Sequence, residues 1–167
     1  MNIEKLFEMQ KILDERIEQE HPVKVGENRF SKKILALQIE IGELANELPE
    51  IFKFWANKKN KPDNALKEYV DGLHFLLSIG NDLDFRKCEI WEMAYEKTLE
   101  NQFNEVFRKV NALYFLNRVS AIGLNDYECT LASYLTLGKA IGFEWNEIEQ
   151  AYTDKNKVNH QRQDNGY

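Results

Sequence analysis

Apolar residues recur at intervals of three and four along almost the whole chain, and no stretch shows sustained period-two alternation bounded by turn residues. That pattern predicts an all-α fold, a helical bundle of about six helices. A first helix is expected over residues 3–20, ending before Pro22, with a loop at 23–30 that contains Gly26 and Asn28. Ser31 is placed to cap a second helix over 32–56, bent near Pro49. Pro62 and Asp63 suit the first turn of a third helix that runs to about residue 81. Residues 84–89 read as a connector, and a fourth helix with an internal break is expected over 90–122. A fifth, over 126–141, is bracketed by Gly123 and Gly142, and a sixth begins near Glu144.

Composition narrows the setting. With 167 residues, 43% hydrophobic and 30% charged, and no linker-like tract, the chain reads as a single all-α domain over 1–167. A formal net charge of -6 argues against a nucleic acid polymer as partner, because neutralising a phosphate backbone needs a basic field; a single nucleotide stays compatible. Cys88 and Cys129 are too far apart for a CxxC motif, so neither a disulfide framework nor a zinc site is expected, and a reducing cytoplasm fits best. The opening segment alternates charged with apolar residues and lacks the apolar run of a signal peptide, and no later run reaches membrane-spanning length.

Candidate chemistry begins on the second helix. Glu40, Glu43 and Glu47 fall within about 60° of one another on a helix of 100° per residue. A solvated acidic face would explain them, were it not that Ala36, Leu44, Ile51 and Phe54 are expected to project in nearly the same direction. Carboxylates inside a partly buried stripe repel one another and lose hydration, which calls for a compensating cation. The third helix carries Glu68 and Asp71 at i, i+3, continued by Gly72, Phe75 and Ile79, with Leu66, Val70, Leu73 and Leu77 on its opposite side. Two acidic pairs on neighbouring helices, hard oxygen donors without cysteine, favour Mg²⁺ or Mn²⁺. Mg²⁺ in turn keeps waters and takes phosphate oxygens, which points to a phosphorylated substrate. On the sixth helix Lys155, Asn159 and Arg162 share a face at i, i+4, i+7; basic residues near a helix C-terminus complement its dipole, but the accompanying amides suit recognition of a base or sugar.

Glu40-x-x-Glu43 with Glu68-x-x-Asp71, followed by KNKVNHQRQDNGY at the end of the chain, resembles the dimeric dUTPases of the all-α NTP pyrophosphatase superfamily, over nearly the full length. The resemblance implies a homodimer that hydrolyses dUTP to dUMP and pyrophosphate with Mg²⁺. Glu40, Glu43, Glu68 and Asp71 would be its metal ligands and catalytic carboxylates, any one of which, Glu43 being the first to test, could double as general base, and Glu47 an outer support. The segment MQKILD is similar to the family's opening motif, which places Gln10 and Asp14 against the uracil; the family has Asn where Asp14 stands, so an amide donor is replaced by an acceptor. In EYVDGLHFLLS, His74 matches a histidine near the deoxyribose, with Phe75 beside it, and Trp55 resembles an aromatic against the base. Lys155, Asn159 and Arg162 complete the expected substrate-binding set.

Three other readings fit parts of the pattern. A sister pyrophosphatase for dCTP or a non-standard NTP would use the same acidic frame, although the C-terminal motif favours dUTP. Glu18-x-x-His21 and Asp71-x-x-His74 imitate the paired ExxH signature of di-iron bundles, with His21 poorly placed beside Pro22. A non-catalytic helical dimer could use the aromatic-rich stretch 106–116 as its interface.

Overall fold

The computed structural model describes residues 3–85 and 95–166, in which six α-helices and no strand are found. They are α1 (Ile3–Glu20), α2 (Arg29–Glu47), α3 (Pro62–Asp82), α4 (Leu99–Arg118), α5 (Leu124–Ile141) and α6 (Trp145–Asp164). The all-α reading is therefore correct, and α1 has the expected bounds. The anticipated connector at 84–89 and the start of the fourth helix fall largely on residues 86–94, outside the described residues, as does Cys88.

Two boundaries differ for identifiable reasons. Asn28, not Ser31, caps α2: its side-chain oxygen accepts from the Ser31 backbone N–H at 2.9 Å, so Ser31 lies inside the first turn. The second helix also stops at Glu47 instead of bending and running on. Pro49 has no N–H to donate and drives the residue before it out of helical geometry; Leu48 sits at φ -117°, ψ 56°, and only a single 3-10 turn, Pro49–Ile51, follows. Phe54, expected beside the acidic stripe, is consequently 95% exposed. The other ends behave as their residues dictate. Pro62 opens α3, the Gly123 N–H donates to Asp126 at the start of α5, and Gly142, at φ 105°, ends α5 in a left-handed turn that a side chain would strain.

The third helix is the hub. It packs against α1, α2, α5 and α6, and buries Tyr69, Val70, Leu73, Leu76, Leu77 and Ile79, so its sides are apolar almost all round. Each fully buried aliphatic side chain of this kind contributes about 1.5–3 kcal/mol. Contact between Glu47 and Lys61 at one end and between Lys33 and Asp82 at the other makes α2 and α3 an antiparallel pair. Tyrosines and glycines set the approach of α3 to α5. The Tyr134 ring stacks on Tyr69 at 4.7 Å, its hydroxyl donates to the Tyr69 carbonyl at 2.7 Å and lies over Gly72, while Tyr69 lies over Gly138 and Tyr127 over Gly80. In the stretch 106–116, Val106, Val110 and Leu113 are buried core, and Phe115 is 62% exposed.

Candidate active site

Antiparallel packing of α2 on α3 brings Glu40 over Gly72; a Cβ on Gly72 would stand 3.6 Å from that of Glu40. This packing puts the Glu40 carboxylate beside Glu68 and Asp71, one turn apart on α3, and each of the three offers an oxygen within 4.8 Å of the others'. The space that a Gly72 side chain would need is taken by the Tyr134 hydroxyl. All three residues are half-buried. Burial, then the charges of Asp71, Glu43 and Glu68, push the Glu40 carboxyl up to about 7, and burial with Asp71 and Glu43 raises Glu68 as well. Lys155 on α6 opposes this, with its Nζ 2.5 Å from Asp71 Oδ2.

Three of the four expected carboxylates thus converge. Glu43 is exposed and lies outside that group of three, although its charge is felt by Glu40 and Glu68. Glu47 accepts from Asn64 at 3.1 Å and pairs with Lys61 at 3.2 Å, which tethers the start of α3 to the end of α2. Three oxygen donors with a net excess of negative charge suit a hard divalent cation. No histidine belongs to the group: His74 is engaged elsewhere and His21 is exposed against Gln163, a poor start for a di-iron site.

Beside the acidic group opens a cleft of about 600 Å³, within the usual size of a small-molecule site. Gln10 and Asp14 reach it from α1, Glu40 from α2, Asp71, His74 and Phe75 from α3, and Lys155, Asn159 and Arg162 from α6. Trp55 does not line it. With the second helix broken at Pro49, Trp55 is 66% exposed and packs edge-on against Phe54 and Phe52.

One wall is a connected polar network. The Tyr152 hydroxyl and His74 Nδ1 both donate to Gln10 Oε1, at 2.8 and 2.7 Å, and Gln10 Nε2 donates to Asp14 Oδ1 at 2.8 Å. Ser78 Oγ donates to the same Asp14 oxygen at 2.9 Å. Burial, with the Lys155 charge behind it, lowers His74 to about 3, so the imidazole is neutral at physiological pH, stacked on Tyr152 at 4.0 Å. Burial also raises the Asp14 carboxyl, against the pull of its donors and of Lys33.

Ser78, Lys33 and Tyr152 escaped the sequence reading. Each stands seven residues from a residue already singled out (Asp71, Glu40 and Asn159), on the same helical face, so extending those stripes by two turns would have found them.

No curated protein matches the chain. The family model for dUTPase matches residues 2–167, and so covers both the acidic group and the cleft. A chain matched throughout, and folded entirely from helices around such a site, belongs to the dUTPase family and is a hydrolase acting on nucleotide pyrophosphate.

Proposed function

We propose that this protein, as one all-α domain, hydrolyses dUTP to dUMP and pyrophosphate with Mg²⁺ held by Glu40, Glu68 and Asp71, Mn²⁺ being an alternative. The observation that carries the proposal is the meeting of three carboxylates and Lys155 at the mouth of a cleft whose other wall is a hydrogen-bonded network that includes the neutral His74. A divalent ion there supplies charge neutralisation for phosphate oxygens and acidification of water. Glu43, close to the group but not within it, is the carboxylate left to take the proton of the water that attacks the α-phosphorus. The α–β phosphoanhydride bond breaks, and Lys155 and Arg162 balance the charge that builds on the leaving pyrophosphate. Asn159 and the neutral His74 suit the sugar, while Gln10, Asp14 and Phe75 suit the base.

Pyrophosphate release from each dNTP, with and without Mg²⁺, tests this. Release from dUTP that vanishes with EDTA, and falls about 10–100-fold in Lys155→Ala, is expected. Metal-independent release, or none from any dNTP, would refute it.

We also read the chain as a homodimer. Phe54 and Trp55 at the end of the broken helix, and Phe115 and Val119 near the end of α4, expose 95%, 66%, 62% and 70% of their surfaces, which suits burial against a second copy. Light scattering should give twice the 19.7 kDa chain mass, and a monomer at micromolar concentration would sink the idea. No helix in the described residues is long and apolar enough to cross a membrane. We place the enzyme in the cytoplasm on the strength of its substrate, beside the nucleotide pool.

A further inference from the structure

Lys155 reaches across from α6 and touches the acidic group: its Nζ lies 2.5 Å from Asp71 Oδ2, and its charge acts on Glu40 and Glu68 as well. It therefore stands where a divalent ion held by Glu40, Glu68 and Asp71 would feel its repulsion. The same side chain lines the cleft, on the face of α6 that carries Asn159 and Arg162 one and two turns further on. The contact with Asp71 is not sealed in, since the two side chains keep 26% and 18% of their surfaces exposed. An ammonium on a flexible four-carbon stem forms no fixed fork with a carboxylate, so exchange to another acceptor close by costs little. Phosphate oxygens arriving in the cleft are such acceptors, and a triphosphate carries more charge than Asp71 does.

Metal and nucleotide meet Lys155 in opposite ways. While it sits on Asp71 it opposes the ion, and it has to leave Asp71 to serve a phosphate. Asp71 holds the ammonium less well once it shares its charge with a divalent ion, and a phosphate that draws the ammonium away removes the repulsion. We infer that Lys155 passes from Asp71 to the phosphates when a nucleotide binds, so that metal and nucleotide each tighten the binding of the other. Linkage makes the effect equal in both directions. The free protein then holds the ion weakly, and the full set of charges assembles only around a phosphorylated ligand. The inference rests on the pyrophosphatase reading above, which supplies both the metal and the phosphates.

The test is calorimetry of Mg²⁺ binding to wild type, Lys155→Met and Lys155→Arg, alone and with a dUTP analogue whose α–β bridging oxygen is replaced by nitrogen, so that nothing is hydrolysed. Lys155→Met removes the charge and keeps most of the length. Without nucleotide it should bind Mg²⁺ about tenfold more tightly than wild type, and the analogue should strengthen its Mg²⁺ binding about tenfold less than it does for wild type. Lys155→Arg keeps the charge and should match wild type without nucleotide; tighter binding there too would make shape the cause and overturn the inference. In wild type with Mg²⁺, the nitrogen NMR signal of the Lys155 ammonium should shift when the analogue is added. A signal that stays in place overturns the inference, as does unchanged or weaker Mg²⁺ binding by a Lys155→Met variant that is folded by its thermal midpoint. Either result spares the reading beneath it if wild type still releases pyrophosphate from dUTP. Wild type that neither binds Mg²⁺ nor releases pyrophosphate overturns that reading itself.

Discussion

Glu40→Gln is expected to abolish pyrophosphate release while making the metal-free protein more stable. The first effect follows if Glu40 helps to hold the ion: turnover should fall by about 10³-fold, equivalent to about 4 kcal/mol of barrier. The second follows from its titration. Its carboxyl is raised from 4.5 to about 7 by burial and by Asp71, Glu43 and Glu68, so the folded protein binds this proton more tightly than the unfolded chain does. The stability this provides is complete below about pH 4.5 and is lost as pH rises through about 7. Because the group is only half-buried, screening reduces the loss to about 1–2 kcal/mol, or a few degrees in Tm. Glutamine keeps the shape and carries no charge, so metal-free variant and wild type should agree in acid and diverge above neutrality, the variant melting higher. Added Mg²⁺ should raise the Tm of wild type and not that of the variant. Melting curves from pH 5 to 8, with and without Mg²⁺, are the check; a variant that melts lower at pH 8, or keeps a tenth of the activity, contradicts the assignment.

A large loss of stability from one added methyl group is expected at Gly138. A Cβ there would come within 2.6 Å of the Tyr69 ring and hydroxyl, atoms that cannot move aside because the ring is stacked on Tyr134 and fully buried. Gly138→Ala should cost about 3 kcal/mol, lowering Tm by about 6–12 °C for a chain of this length. Urea unfolding with an unchanged m-value and a lower midpoint would show that packing alone has suffered. A loss below about 0.5 kcal/mol would mean that the two helices separate more readily than their interlocked tyrosines imply.

The sequence made some parts of this molecule plain and hid others. Helical periodicity is a local signal, so α1, α3, α5 and α6 are legible to within a few residues, and the acidic pairs that share a face are legible with them. The break after Glu47 was visible as Pro49, but whether a proline bends or ends a helix depends on what the following turn packs against, which is not local. That uncertainty decided the fate of Trp55, legible as an aromatic by its motif and found at the surface. Glu43 and Glu40 look equivalent along the helix. Which of them reaches the carboxylates of α3 depends on how the two helices are set against each other, and that is not local. The network from Tyr152 through Gln10 to Asp14 joins α6 to α1 across 142 residues of sequence, and no spacing rule could reveal it.

Two of the three converging carboxylates sit on the helix that also forms the middle of the core, and the third rests on that helix's glycine. Loosening that centre would mean dismantling the interior, so loss of activity on heating and loss of structure should be one event, without a stage in which the body persists and the chemistry has gone. Whatever motion admits a nucleotide must then come from the walls. The surface ion pairs between α1 and α6, such as Lys5 with Glu149 and Arg16 with Asp164, restrain those walls only weakly, whereas their buried faces, with Leu6, Phe7 and Tyr152, hold them to the core.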